Sequence, residues 1–282
     1  MFDTHCHLNF QAFEGKIKEV IADASENGVN QILIPGTDVA TSKKAVEIAE
    51  KFPNVFAAVG VHPHHVYELQ MKHAEFSTNE IDQIEKLLQH PKAVAVGEVG
   101  LDKHYYQKTK YEKYQVDEQF ISLQKEVLEE QIQLAIQYDK SLILHNRESK
   151  KDFLEMLDSV WDKKLEGRTV FHCCEPDQEF LTFAQEHNVY IGVDGDVTYS
   201  KEKEVFVKKI PLDRLVLETD SPFLTPEPHR SEGRRTNTPT NLPLIASHIA
   251  SLTGVSEDEI KKASTSNAIS LFHIKSQTND LV

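Results

Sequence analysis

The chain has 282 residues with 39% hydrophobic content, enough for one large α/β domain or two smaller ones. Its net charge of −14 argues against broad, non-specific attachment to nucleic acid, although metal cations and a local basic patch can reverse the sign inside a cleft. No run approaches the roughly 18 apolar residues of a membrane helix, no signal peptide precedes the first predicted strand, and three cysteines fit a reducing compartment, so we expect a cytoplasmic protein.

Short apolar, β-rich runs alternate with helical stretches eight times along the chain. This alternation predicts parallel strands joined by crossover helices, and eight repeats predict a (β/α)8 TIM barrel that forms a single α/β domain over 1–282. A doubly wound open sheet is the alternative, but it would carry a Gly-rich phosphate turn where His5-Cys6-His7 stands. The predicted strands are 2–7, 31–36, 55–61, 93–99, 141–146, 168–173, 189–194 and 214–219.

Two further helices are predicted beyond the eighth strand, over 240–253 and 256–272. Gly254 is placed to end the first helix, and Ser256 with Glu259 forms a capping-box pattern for the second. Two long connections, 102–117 and 221–241, follow predicted strands four and eight. Because barrel enzymes work at the carboxyl ends of their strands, we expect both connections to border the functional site.

Six metal-competent side chains stand where predicted strands run into loops. His5 and His7 end the first strand, and since side chains alternate across a strand, the two imidazoles point the same way. The carboxyl ends of barrel strands meet at one mouth, so we expect all six side chains to converge there. The six are His5, His7, Glu98, His145, His172 and Asp220.

Four imidazoles and two carboxylates exceed the needs of one ion, which takes about four to six ligands and must leave room for water or substrate. A site for two divalent ions roughly 3.5–4 Å apart uses all six if one carboxylate bridges. Glu98 is the predicted bridge and Asp220 is predicted to bind both a metal and the attacking water, which makes them the candidate catalytic residues. Imidazole-rich ligation favours zinc or manganese over magnesium, but the sequence leaves all three open.

Additional side chains are predicted to surround the metals. Asp3 and Glu218 each lie two residues before a ligand on the same strand face, where a carboxylate usually receives the free N–H of a ligating histidine. Arginines just beyond ligand-bearing strand ends form forked bonds to phosphate oxygens. The histidines after predicted strand three have either a substrate-binding or a structural role. The candidate substrate-binding residues are His62, His64, Arg147 and Arg230.

Six ordered motifs run through the chain: Asp-Thr-His-Cys-His-Leu at 3–8, Val-Gly-Val-His-Pro-His at 59–64, Gly-Glu-Val-Gly-Leu-Asp at 97–102, Leu-His-Asn-Arg-Glu at 144–148, Phe-His-Cys at 171–173 and Leu-Glu-Thr-Asp-Ser-Pro-Phe-Leu-Thr-Pro at 217–226. Together they resemble the TatD-like metal-dependent deoxyribonucleases, a group of amidohydrolase-type barrels. The resemblance implies a (β/α)8 fold and metal-dependent hydrolysis of DNA, at single-stranded or frayed ends, and we expect a monomer. The six metal-competent residues fall on the metal ligands of that family.

The chain departs from the family pattern beside the predicted metals. Glu175 and Pro176 replace small, flexible residues that the family usually carries shortly after His172, and Asp194 and Asp196 stand where the family tends to carry uncharged residues. These changes leave two alternatives to a DNase. One is a hydrolase of another ester or amide, such as an aminoacyl-tRNA bond, on the same metals. The other is a non-catalytic metal-binding scaffold, although no ligand is lost.

Overall fold

A computed structural model describes residues 1–71 and 78–274 of the chain. Within these residues, eight parallel strands form one sheet whose spatial order follows the order along the chain. The predicted domain limits of 1–282 extend into 275–282, which lies outside the described residues. The strands are β1 (Phe2–Asp3), β2 (Gln31–Pro35), β3 (Val55–Val59), β4 (Ala93–Asp102), β5 (Ser141–Arg147), β6 (Thr169–Phe171), β7 (Tyr190–Val193) and β8 (Leu215–Leu217).

The sheet closes on itself where its first and last strands meet. The Thr4 amide donates to the Leu217 carbonyl at 3.1 Å, and the Asp220 amide donates to the His5 carbonyl at 2.9 Å. Cys6 pairs with Ser221 in a parallel bridge. The prediction of a (β/α)8 TIM barrel is therefore confirmed.

Helices connect the strands and cover the outer face of the barrel. None of the described helices is long and apolar enough to cross a membrane. The helices are α1 (Ile17–Glu26), α2 (Val39–Lys51), α3 (Tyr67–Met71), α4 (Thr78–Leu88), α5 (Glu118–Gln137), α6 (Lys150–Val160), α7 (Gln178–Glu186), α8 (Lys201–Val207), α9 (Leu242–Thr253) and α10 (Glu257–Leu271).

The two C-terminal helices begin and end close to the predicted positions. Gly254 ends α9 with a φ of 75°, a left-handed conformation that glycine adopts without a Cβ clash. The Ser256 side chain accepts a hydrogen bond from the Glu259 amide at 3.3 Å and so begins α10. The extra C-terminal helices are thus confirmed.

The barrel interior is filled by one layer of apolar side chains and closed at its amino end by α10. Each strand contributes one member of this layer, and Ala268, Leu271 and Phe272 from the end of α10 pack against it. The ring of Phe272 lies 5.8 Å from that of Phe2. Because α10 covers the amino ends of the strands, the cavity of the barrel opens at the carboxyl ends.

Each of the eight strands differs by at least one residue from its predicted limits, and the differences in β1, β4 and β8 bear on the site. β1 ends at Asp3 rather than at residue 7, because the chain turns at Cys6, whose carbonyl accepts from the Leu8 amide at 2.9 Å. β8 ends at Leu217 rather than at residue 219, and the chain then turns at Asp220, whose φ is 51°. β4 continues beyond residue 99 to Asp102, which pairs with Arg147 of β5. The register of these two strands shifts earlier, between Val96 and Val99.

Candidate metal centre

Three histidines and two carboxylates meet above the barrel interior at the carboxyl ends of the strands. The Nε2 atoms of His5 and His7 are 3.2 Å apart. His5 Nε2 lies 3.4 Å from Glu98 Oε2, and His7 Nε2 lies 3.4 Å from Asp220 Oδ1. His172 stacks on His5 with ring centroids 3.5 Å apart and places its Nε2 3.9 Å from Asp220 Oδ1. These donor atoms surround one small, largely buried space.

The two oxygens of Glu98 face different histidines. Oε2 faces His5 at 3.4 Å and His7 at 3.8 Å. Oε1 faces His145 Nδ1 at 2.9 Å and His172 Nε2 at 3.8 Å. The carboxylate thus stands between two groups of imidazoles, one from the segment that follows β1 and one from the end of β5 and the residue after β6.

The electrostatics of this cluster favour a bound cation. Burial alone would raise the pKa of Glu98, but His62 and His5 beside it hold that pKa well below its usual range, so the carboxyl group is ionised. Burial would also lower the pKa of His172, yet Glu218 and the other carboxylates raise it to about 10. The carboxylates thus stabilise positive charge among the imidazoles. With imidazole and carboxylate donors together, the residues fit one or more divalent ions.

The two carboxylates predicted behind the ligands make different contacts. Glu218 Oε1 lies 2.9 Å from His172 Nδ1 and accepts the Cys173 amide at 2.6 Å. Asp3 instead accepts from the backbone and hydroxyl of Thr219, at 3.0 and 2.7 Å, and from the His5 amide at 3.3 Å. Asp3 therefore fixes the backbone where β1 meets β8. Within residues 1–71 and 78–274 no hydrogen bond joins it to a histidine ring, and the buried Nδ1 of His5 has no hydrogen-bond partner.

A cavity of about 680 Å³ lies directly over the cluster, and the predicted substrate-binding residues differ in their access to it. His62, His64 and Arg147 line this cavity. His62 Nε2 lies 3.6 Å from Glu98 Oε1. Arg147 donates to the Tyr106 hydroxyl at 3.1 Å. Arg230 is not among the lining residues, and its guanidinium lies 3.9 Å from the ring centroid of Tyr199.

Asp102 is a site residue that the sequence reasoning missed. It is fully buried, and its Oδ2 lies 3.3 Å from His145 Nε2 and accepts the Tyr106 hydroxyl at 2.6 Å. Burial would raise its pKa, but the hydrogen bond to His145 and the charge of that ring lower it to about 2. The sequence did contain an indication of this role. Asp102 lies four residues after Glu98, and in a strand that runs to residue 102 the two side chains share one face.

Lys203 is paired with Asp194 and Asp196, the two acidic residues after β7 that depart from the family pattern. The sequence reasoning missed this lysine as well. The Lys203 ammonium is buried and lies 2.8 Å from Asp196 Oδ2 and 3.8 Å from Asp194 Oδ2. It also lies 3.4 Å from Cys173 Sγ, next to His172. These carboxylates raise the lysine pKa well above its usual value despite burial. The additional acids therefore face a fixed positive charge in the cavity wall.

Comparisons with known proteins agree with this geometry. The family described as TatD related DNase matches residues 2–273. The uncharacterized metal-dependent hydrolase YabD of Bacillus subtilis is 35% identical over 277 residues, which cover 97% of this chain and 99% of YabD. The 3'-5' ssDNA/RNA exonuclease TatD of Edwardsiella piscicida is 31% identical, covering 97% and 100%. The crystal structure of YJJV, a TatD homolog from Escherichia coli K12, superposes with a TM-score of 0.83 at 28% identity and 98% coverage of both chains.

Proposed function

This chain belongs to the TatD-related DNase family of metal-dependent hydrolases, and from that premise we propose that it is a deoxyribonuclease that hydrolyses phosphodiester bonds with two divalent metal ions. The proposed substrate is DNA with single-stranded or frayed ends. The Edwardsiella relative, named a 3'-5' ssDNA/RNA exonuclease, supports this substrate class. Three free cysteines are consistent with the proposed cytoplasmic location, and a monomer is the proposed assembly.

The position of Glu98 between two groups of histidines is the observation that carries the proposal. Its Oε2 faces His5 and His7, and its Oε1 faces His145 and His172. One ion would be held by His5, His7 and Asp220, and the other by His145 and His172, with Glu98 shared. A carboxylate with imidazole donors on both sides is placed to be shared by two ions.

The chain's own side chains supply the remaining parts of the reaction. When bound, divalent ions lower the pKa of water and offset negative charge on phosphate oxygens. Asp220, whose Oδ1 is 3.4 Å from His7 Nε2, orients the attacking water and accepts its proton. His62 and Arg147 line the cavity and hold the phosphate through N–H donors. Glu218 holds the ring of His172 in one orientation.

Two other functions fit parts of the same site. A hydrolase of another ester or amide, such as an aminoacyl-tRNA bond, would use the same metals on a different substrate. A non-catalytic scaffold would bind the metals only. Five of the six predicted ligands, all but the fully buried His5, line a cavity of about 680 Å³. This open space favours an enzyme over a scaffold, because a purely structural ion needs none beside it.

The test is a cleavage assay on labelled single-stranded, frayed and blunt oligonucleotides. Protein stripped of metal by a chelator would be supplied in turn with zinc, manganese and magnesium. His145→Ala is the inactive variant, and His90→Ala, which removes an outer histidine that pairs with Glu50, is the matched control. We expect metal-dependent cleavage by the wild type and by His90→Ala alone. Cleavage without metal would refute the mechanism, and turnover of esters without any cleavage of oligonucleotides would favour the first alternative.

A further inference from the structure

Phe223 presents an exposed aromatic ring at the rim of the metal cavity. Among the described residues, the large hydrophobic side chains left exposed are Met71, Tyr105, Val205 and Phe223. Phe223, at 50% exposure, is the member of this group that lines the cavity. A ligand that covers this ring would remove apolar surface from water, which favours binding.

Ring contacts connect Phe223 directly to a candidate metal ligand. Its centroid lies 6.2 Å from that of His7 and 6.1 Å from that of Phe10, both in edge-to-face geometry. Phe10 in turn stacks on His7 with centroids 4.3 Å apart. A flat group resting on Phe223 would therefore lie within one side-chain length of the metal centre, close enough to belong to the nucleotide whose phosphate is attacked.

The backbone around Phe223 is held in place from both sides. The Phe223 amide donates to the Asp220 carbonyl at 2.8 Å. Asn237, which is fully buried, donates through its amide to the Pro222 carbonyl at 3.0 Å and through its side chain to the Leu224 carbonyl at 3.3 Å. A ring on such a fixed segment loses little conformational entropy when a ligand stacks on it.

The opposite wall of the cavity carries the guanidinium of Arg147, an N–H donor suited to a phosphate. Phe10 and Phe223 follow β1 and β8, whereas Arg147 ends β5, and in a closed barrel of eight strands these positions lie on opposite sides of the mouth. The metal ligands stand between the two walls. A nucleotide fits this arrangement, with its flat base against the aromatic side and its anionic phosphate between the metal ligands and Arg147.

We propose that Phe223, supported by Phe10, is a stacking platform for the nucleobase next to the scissile phosphate. The inference rests on the proposed nuclease function and adds the subsite that recognises the substrate as a nucleotide. Stacking on an aromatic ring accepts every base, because each base has a π-face. The platform therefore gives the enzyme affinity for unpaired ends without sequence preference.

The experiment compares Phe223→Leu and Phe223→Tyr with wild type on matched oligonucleotides. One set carries a normal terminal nucleotide, and two others carry an abasic tetrahydrofuran residue at the 3′ or the 5′ end. Phe223→Leu keeps an apolar side chain but removes the ring, Phe223→Tyr keeps the ring, and Val205→Ala, exposed but outside the cavity, is the control. The value of kcat/KM is measured for each protein on each of the three substrates, and circular dichroism checks that each variant is folded.

We expect Phe223→Leu to lower kcat/KM by about 5- to 150-fold on the normal substrate, the range that base–aromatic stacking supplies. The loss should be under about twofold on the substrate whose abasic residue removes the stacked base. Phe223→Tyr and Val205→Ala should match the wild type. An equal loss on normal and on both abasic substrates would overturn the stacking role while leaving the nuclease function intact. Failure of the wild type to cleave any oligonucleotide would instead refute the proposed function.

Discussion

Asp102 Oδ2 lies 3.3 Å from His145 Nε2, on the side of the imidazole opposite to Glu98. The two carboxylates hold the ring from both ends, and together they raise the pKa of His145 to about 9 despite its burial. A ligating histidine usually donates its second nitrogen to such a carboxylate, which fixes both tautomer and orientation. Asp102 is thus placed to direct Nδ1 of His145 toward the metal centre.

Replacing Asp102 by Asn should lower metal affinity and kcat by about 10- to 100-fold, the usual cost of losing a carboxylate behind a metal-ligating histidine. Tyr106→Phe is the comparison variant for metal affinity, because it removes the other hydrogen bond to the Asp102 Oδ2 atom and leaves the His145 contact. It also removes the hydroxyl that accepts from Arg147, so its KM is not compared. Metal titration and steady-state kinetics would measure both effects. Equal losses in the two variants would assign the effect to the loop rather than to His145.

Glu218 should have the corresponding role for His172, and Gly192 gives a second way to test it. A Cβ on residue 192 would lie 2.5 Å from Glu218 Oε1, which is closer than atoms can approach, so the carboxylate would have to move. We therefore expect Gly192→Ala and Glu218→Gln each to lower metal affinity by about 10- to 100-fold. Metal binding followed by calorimetry would check this. Unchanged affinity in Gly192→Ala would show that the carboxylate moves without consequence for His172.

His145→Ala and Asp220→Ala should abolish hydrolysis while the fold survives, because both residues lie at the catalytic mouth of the barrel rather than in its core. The position of Glu98 further predicts that His145→Ala retains one of the two ions. Elemental analysis of metal per chain, with thermal unfolding as the check on the fold, would measure this. Full metal content in His145→Ala would contradict the proposed division of ligands.

Arg147→Ala should weaken substrate binding more than Arg230→Ala. Arg147 lines the cavity, whereas Arg230 stacks on Tyr199 outside its lining. A side chain that binds phosphate equally in the ground and transition states raises KM and leaves kcat nearly unchanged. Steady-state kinetics on one oligonucleotide would compare the two variants. A larger KM effect in Arg230→Ala would mean that its ring contact with Tyr199 breaks when substrate binds.

Asp152 on α6 should make stability depend on pH in acid. It contacts Lys103 and lies 2.6 Å from Lys125, and these two lysines lower its pKa from 3.8 to about 2. Because the carboxyl pKa is lower in the folded than in the unfolded chain, the group stabilises the folded state fully at pH values above the unfolded pKa of 3.8. This contribution is lost as the pH falls toward the folded pKa of about 2. Asp152→Asn should therefore cost about 0.5–1 kcal/mol at neutral pH, since the pair is partly solvated. Urea unfolding at about pH 7, 5 and 3 should show a constant difference at the first two values and a smaller one at the third; an undiminished difference at the lowest pH would contradict the assignment.

The fold followed from patterns that are local in the chain. Eight apolar runs alternating with helices leave few topologies, because a parallel strand must return through a crossover connection. The limits of the strands were less predictable. β1 ends at Asp3 although 2–7 reads as one run, since hydrogen bonds from β8 and a turn at Cys6 decide where the ladder ends. The β8 partner of this segment, Leu217, lies 213 residues after Thr4 in the sequence.

The sequence by itself determined which side chains stand at strand ends, and therefore which could meet at the mouth of the barrel. Side-chain alternation predicted that His5 and His7 point the same way, and their Nε2 atoms do lie 3.2 Å apart although β1 ends at Asp3. Only the tertiary structure decided which atoms face each other. Glu98 stands between two groups of histidines, and Glu218 contacts the ring of His172, whereas Asp3 accepts from backbone amides and a hydroxyl. Arg230 lies outside the cavity lining. Such contacts form or fail with small changes in the separation of segments that are distant in the sequence, and that separation is set by how the whole barrel packs.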